Sequence, residues 1–108
     1  MEYGTYKKIP NHLRKYRKTA GFKQTDVAKI LRLKNTAQIS KWEKGKSLPS
    51  FINVCKLSIL YRVLVDALFN DLMHKLRDAI REEERENLAN RNSVSEKESL
   101  YKHELPRR

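Results

Sequence analysis

Residues 21–49 read GFKQTDVAKILRLKNTAQISKWEKGKSLP and carry two short helical patterns separated by a tight turn. The first pattern begins at Gln24, because apolar residues then recur at the spacing of one helix face, at positions 27, 28, 30 and 31. This spacing predicts a short amphipathic helix that buries Ala28 on its inner side.

The second pattern begins at Asn35, which stands three residues before Gln38 and therefore has the spacing of a helix capping box. Ile39 and Trp42 lie three residues apart and predict the buried side of a helix over residues 36–44, which ends at Gly45. Two short helices joined by a tight turn form a helix-turn-helix motif.

Residues on either side of this motif complete an all-α pattern. Pro10 can open a first helix, in which Leu13 and Arg17 recur at helical spacing until Gly21 ends it. After a loop that contains Pro49, a fourth helix carries apolar residues at positions 51, 52, 54, 55, 57 and 60. A fifth helix begins near residue 65 and carries apolar residues at positions 68, 69, 72, 73, 76 and 80. No segment alternates as a strand would, so we predict an all-α fold.

Beyond Ile80 the apolar stripe stops, and residues 82–86 favour a helix without giving it a face to bury. The sequence is polar from residue 90, so we expect fraying or disorder from about that position. We therefore expect an N-terminal arm, a helix-turn-helix domain, a C-terminal helix extension for dimerisation or partner binding, and a disordered tail, over residues 1–9, 10–70, 71–89 and 90–108.

The charge is concentrated in the first part of the chain. The 108 residues hold 24 Lys and Arg against 13 Asp and Glu, a net charge of +11. Residues 1–62 hold 15 basic and three acidic residues, or +12, and residues 63–108 hold 9 basic and 10 acidic residues, or −1. This asymmetry indicates a polyanionic partner, although lysines that only aid solubility are an alternative. A membrane surface fits less well, because the basic part lacks a long helix with a bulky apolar face.

Several classes of protein are disfavoured. No run of about 18 apolar residues exists, and the first ten residues lack the apolar core of a secretory signal. Cys55 is the single cysteine, and the three histidines at positions 12, 74 and 103 do not have the spacing of metal ligands. No nucleotide-binding or nucleophile motif occurs. We therefore expect a cytoplasmic protein without catalytic residues, metal or cofactor.

The stretch from residue 13 to residue 69 resembles the Cro/repressor-type (Xre-family) DNA-binding domain. The residues that carry this resemblance are Leu13-Arg14, Arg17, Gly21-Phe22-Lys23-Gln24, Val27-Ala28, Ile39-Ser40-Lys41-Trp42-Glu43-Lys44-Gly45, Pro49, Leu57 and Leu68-Phe69. The resemblance covers about half of the chain. It implies a five-helix repressor-like domain and a sequence-specific regulator of transcription, expected to be a repressor, that binds double-stranded DNA.

The turn over residues 31–35 departs from the family pattern, which usually has a glycine there. This turn has none and is one residue longer. We expect Leu33 to fill the core from the turn. Lys34 and Asn35 are both candidates for the residue with left-handed backbone.

The resemblance also implies which residues contact DNA. Base-reading candidates by position in the motif are Thr36, Ala37 and Lys41, which point away from Ile39 and Trp42. Gln38, beside them, lies near the boundary of the buried side at the helix start. The alternative is that these residues are solvent-exposed helix positions without a role in DNA binding. Gln24 has the family role of a phosphate ligand, and Lys23, Lys44 and Lys46 flank the same side.

Two further contacts are expected. In the family an arginine of the first helix pairs with the glutamate that follows the Ile-Ser-x-Trp segment, which implies an Arg17–Glu43 ion pair here. An apolar stripe of Leu72, Met73, Leu76 and Ile80 predicts a homodimer through the fifth helix, with packing inside one chain as the alternative.

An antitoxin-like protein whose C-terminal part binds a partner remains a second functional hypothesis, and RNA binding is a weaker one.

Overall fold

The computed structural model describes residues 8–94, and these residues form helices and connecting turns without any strand. The six helices are α1 (Leu13–Thr19), α2 (Gln24–Ile30), α3 (Ala37–Glu43), α4 (Phe51–Tyr61), α5 (Val65–Leu68) and α6 (Asn70–Val94). The predicted all-α class with a helix-turn-helix and an extended C-terminal helix is confirmed. The chain divides into two units between His74 and Lys75.

The core of the first unit receives one fully buried side chain from each of its first five helices. These side chains are Leu13, Val27, Ile39, Leu57 and Leu68. Because helices as short as α1, α2, α3 and α5 are not stable alone in water, this shared core is what stabilises them.

The first helix begins three residues later than predicted, at Leu13 instead of Pro10. Asn11 accounts for the difference, because its Oδ1 accepts a hydrogen bond from the Leu13 N–H at 3.0 Å. Its Nδ2 donates to the carbonyls of Ile9 and Trp42, both at 3.0 Å. A side chain that satisfies backbone groups in this way competes with helix formation at its own position.

Ile9 belongs to the core and not to a free N-terminal arm, since only 7% of the residue is exposed. Its N–H donates to the Gly45 carbonyl at 2.8 Å. A Cβ atom at Gly45 would lie 2.6 Å from the Ile9 carbonyl oxygen, so only glycine permits this approach. The chain before α1 is therefore held at the C-terminal end of α3.

Four helices end in the same backbone arrangement, the Schellman motif. In each, one residue has a positive φ, and the residue after it donates its N–H to the carbonyl five positions earlier. The left-handed residues are Gly21, Arg32, Gly45 and Arg62, and the hydrogen bonds are Phe22 to Arg17, Leu33 to Ala28, Lys46 to Lys41 and Val63 to Ser58.

The left-handed residue of the turn is thus Arg32 (φ 61°), and the prediction of Lys34 or Asn35 was wrong. Helix α2 ends at Ile30, and its C-cap residue Leu31 is buried, so the chain must reverse immediately afterwards. Leu33, which we expected to fill the core, is only half-buried, whereas Leu31 is buried.

Helix α3 begins at Ala37, one residue after the predicted start. Asn35 contributes to its beginning, because the Asn35 Oδ1 accepts a hydrogen bond from the Ala37 N–H at 2.8 Å. The side chain of Thr36, the N-cap residue by backbone position, makes no capping hydrogen bond.

The predicted fifth helix is two helices, because Phe69 leaves the helical conformation (φ −128°, ψ 42°) between α5 and α6. This break allows Leu68, Phe69 and Leu72 all to be buried. The assignment of Leu72 to a dimer interface was therefore wrong. Helix α6 continues to Val94, a few residues beyond the approximate boundary expected near residue 90, and residues 95–108 lie outside the described part.

We predict that Arg32→Gly stabilises the domain by roughly 0.5–1 kcal/mol, because a left-handed conformation costs a residue with a Cβ more than it costs glycine. Chemical denaturation measures this change. Lys29→Gly is the control: Lys29 is exposed inside α2, and its replacement is expected to destabilise by about 1 kcal/mol. Equal destabilisation by both substitutions would contradict the strain at Arg32.

Candidate nucleic-acid interface

The outer side of α3 is polar and accessible. Ile39 and Trp42 are buried, which turns the opposite side of the helix to solvent. The exposed residues of that side are Ala37, Gln38, Lys41 and Lys44, and Thr36 is half-buried at the helix start. The structure therefore places the four base-reading candidates at the N-terminal part and on the outer side of one short helix.

A buried ion pair fixes α3 against α1. The Arg17 Nε donates to Glu43 Oε2 at 2.6 Å, and its Nη2 donates to Oε1 at 3.2 Å. The two side chains are only 9% and 4% exposed. The third donor of the guanidinium, Nη1, donates to the Phe22 carbonyl at 2.9 Å in the turn after α1. This two-bond geometry fixes orientation as well as distance.

Gln24 is the third side chain of this cluster, a contact that sequence reasoning did not find. Its Nε2 donates to Glu43 Oε1 at 3.0 Å, so Glu43 accepts hydrogen bonds from α1 and from α2. Gln24 is the first residue of α2 and is half-buried. Its amide, predicted to be a phosphate ligand, is thus held at the N-terminus of α2 by an internal contact.

The electrostatics of the cluster follow from its burial. The hydrogen bonds to Glu43 raise the pKa of Arg17 above its ordinary value, although burial acts in the opposite direction. Burial raises the pKa of Tyr61 to about 12, the charge of Glu43 adds to this shift, and that of Arg17 opposes it. Tyr61 also lies 6.5 Å from Phe22, measured between ring centroids. The cluster therefore brings α4 as well as α1, α2 and α3 to one place.

Exposed basic residues flank α2 and α3 in the chain. Lys23, Lys44 and Lys46 are all exposed, at the start of α2 and just after α3. Lys23 is the N-cap of α2, and its N–H donates to Asp26 Oδ2 at 2.8 Å. Lys8 is also exposed, and the bond of its neighbour Ile9 to Gly45 holds it near the end of α3.

Outside the buried pair, residues 8–74 hold 13 Lys and Arg against three Asp, a net charge of +10. Such a surface attracts a polyanion, and the helix beneath it presents side chains of the types that read base edges. Fold and surface together define a helix-turn-helix protein that binds double-stranded DNA.

The family comparison agrees with this geometry. Residues 13–68, just over half of the chain, match the family model described as helix-turn-helix, of the Cro/C1 (Xre) type. The chain belongs to this family and is a DNA-binding regulator of the Cro/C1 type. No match was found among curated proteins or among solved structures.

Two further findings concern other classes of site. Among the described residues, no group of His, Cys, Asp and Glu side chains is arranged to hold a metal ion. No helix within residues 8–94 combines the length and apolarity needed to cross a membrane.

We predict that removal of either partner of the buried pair, by Arg17→Ala or Glu43→Ala, destabilises the domain by roughly 3–5 kcal/mol, since the remaining charge stays buried without its partner. The double variant is expected to lose clearly less than the sum of the two single losses. Denaturant melts of the three variants measure this coupling. Additive losses would show that the two side chains do not stabilise each other.

Proposed function

We propose that the protein is a sequence-specific transcriptional repressor that reads an operator in the major groove with α3. The observation that carries this proposal is the accessible polar side of α3, which is held by the Arg17–Glu43 pair and bordered by exposed lysines. Its action on an operator places it in the cytoplasm, on the nucleoid.

The candidate base-reading residues differ in the base groups that their side chains can contact. Lys41 can donate to O6 and N7 of a guanine, and Gln38 can form two hydrogen bonds with an adenine. The methyl groups of Thr36 and Ala37 suit a thymine methyl group. In this proposal the four residues contact bases and thereby determine which DNA sequence is bound.

The remaining basic residues suit the DNA backbone. Lys23, Lys44 and Lys46 supply charge on either side of α3, and Gln24 opens α2 with its amide held by Glu43. Phosphate contacts position the protein and strengthen binding, but they carry no sequence information directly. We assign these four residues that role.

We predict that Lys41→Ala relaxes specificity, with a loss of about 1–3 kcal/mol at one operator position. Lys46→Ala, the control, is expected to weaken binding to all sequences alike. Selection of bound sites from a random DNA pool first supplies the operator, and titrations of operator and mismatched duplexes then compare the variants. The assignment is wrong if Lys41→Ala reduces operator and non-operator affinity by the same factor.

We further propose that the repressor is a homodimer assembled through α6. Met73 and Leu76 are half-buried and Ile80 is 53% exposed, so the stripe retains apolar surface after Leu72 is assigned to the core. Two copies paired through this helix would present two reading helices to half-sites about 34 Å apart, and the selected operator would be a palindrome.

We predict that Leu76→Glu with Ile80→Glu shifts the full-length chain from dimer to monomer in sedimentation at micromolar concentration. Ala89→Glu with Asn92→Glu is the control, because it adds the same charge at two exposed α6 positions outside the stripe. An unchanged mass in both variants would contradict pairing through α6. A monomer that copurifies with a second protein would favour the antitoxin-like alternative.

A further inference from the structure

An open groove lies between the C-terminal part of α1, the turn that follows it and the C-terminal part of α4, and we call it the α1–α4 groove. Its volume is about 780 Å³, which is within the range of sites that bind small molecules. All the residues that line it belong to the first unit, and none of the residues proposed to contact DNA is among them. The α1–α4 groove is therefore a surface separate from the outer side of α3.

The lining of the α1–α4 groove is mainly apolar and contains three aromatic rings. These rings belong to Tyr16, Phe22 and Tyr61, and Ile59 and Val63 add aliphatic surface. Aromatic rings offer a large apolar area and pack favourably against other rings, either offset or edge to face. Such a lining suits a ligand with a flat apolar body.

Tyr61 also brings a polar group to this lining. Only 5% of Tyr61 is exposed, and its hydroxyl makes no hydrogen bond to any residue in the described range 8–94. Within that range the Ser47 hydroxyl is the one unpartnered side-chain polar atom that is fully buried, so the Tyr61 hydroxyl remains accessible. Burial raises the pKa of Tyr61 to about 12, which keeps this hydroxyl protonated as a hydrogen-bond donor at neutral pH. Water alone can pair with it in the free protein, and an acceptor on a ligand would replace that water.

The charges at the α1–α4 groove are positive. Arg62, the C-cap residue of α4, lines the groove with an exposed side chain that forms no ion pair with a described residue. The ammonium group of Lys15 lies 5.4 Å from the centroid of the Tyr16 ring, which is part of the lining. No acidic residue is among the described residues that line the groove. The groove is therefore complementary to an anionic group.

We propose that the α1–α4 groove binds a small molecule that combines a flat aromatic body with one anionic group, such as an aromatic carboxylate or sulfonate. The body packs against the rings and the aliphatic side chains of the lining. The anionic group pairs with Arg62, and an acceptor of the ligand receives the hydrogen bond of the Tyr61 hydroxyl. This binding depends neither on operator reading nor on the α6 interface, so either proposal can fail without the other.

The test uses the full-length chain and two dyes that share one aromatic body. The first dye, 1-anilinonaphthalene-8-sulfonate, carries an anionic group, and the second, N-phenyl-1-naphthylamine, lacks it. Fluorescence titrations measure the affinity for each dye, and two-dimensional NMR spectra locate the anionic dye on the chain. We expect saturable binding of the anionic dye, with the amide shifts concentrated at residues 16–22 and 59–63.

Three single variants separate the contributions of charge and hydroxyl. Arg62→Asn removes the cation at a left-handed position, a backbone conformation that asparagine tolerates. Arg32→Asn is the matched control, because it removes the same charge from the same backbone conformation at the end of α2, outside the lining. Tyr61→Phe removes the hydroxyl and keeps the ring. Urea denaturation checks that each variant is folded.

We expect Arg62→Asn to weaken binding of the anionic dye about two- to fivefold, the effect of one exposed charge pair. Tyr61→Phe is expected to weaken it about two- to tenfold through the lost hydrogen bond. Both variants leave the affinity for the neutral dye unchanged, and Arg32→Asn changes neither affinity.

Three results would overturn the proposal. The first is the absence of saturable binding of the anionic dye. The second is a set of amide shifts centred on residues 51–56, which would place the dye on the exposed apolar side of α4 instead of in the groove. The third is an equal loss of affinity in Arg62→Asn and Arg32→Asn, which would reduce the effect of Arg62 to the net charge of the domain.

Discussion

The buried contact between Arg17 and Glu43 is the interaction on which the arrangement of this domain depends. Its two charges are nearly excluded from water, so they are tolerated only because each satisfies the other. Gln24 and the Phe22 carbonyl complete the hydrogen bonding. Three short helices that could not persist alone are thereby fixed at one point, and the orientation of α3 follows from it.

The ends of the helices impose a second constraint. Helices of seven residues can pack around a small core only if the chain reverses sharply between them, and here each reversal uses one left-handed residue. Gly45 has an additional role, because its missing side chain admits the backbone of Ile9. Ile9, just before α1, is thus held where α3 ends.

The exposed side chains of the first unit form two kinds of surface, one basic and one apolar. The lysines around α3 suit a polyanion, whose attraction acts over a distance of about a Debye length. The outer side of α4 exposes Phe51, Ile52 and Ile59, carries one charged residue, Lys56, and is otherwise apolar. These two kinds of surface lie on different helices of the first unit.

The sequence by itself determined the helical class, the positions of α2 and α3, and the identity of the residues on the exposed side of α3. These features follow from periodicity within a few residues and from a motif whose spacing is characteristic of the family. The Arg17–Glu43 contact was predicted from that motif, and the structure brings the two residues together. Tyr61 and Gln24, which complete the cluster, have no spacing that would indicate it.

Only the tertiary structure decided the features that depend on residues far apart in the chain. Asn11 delays α1 because its side chain also reaches the Trp42 carbonyl, 31 positions away. Phe69 leaves the helical conformation and Leu72 is buried, although the periodic pattern is continuous there. Arg32 takes the left-handed conformation directly after the buried Leu31. Hydrogen-bond partners and burial depend on which helix faces pack together in the folded chain. The spacing of residues within one helix does not specify that packing.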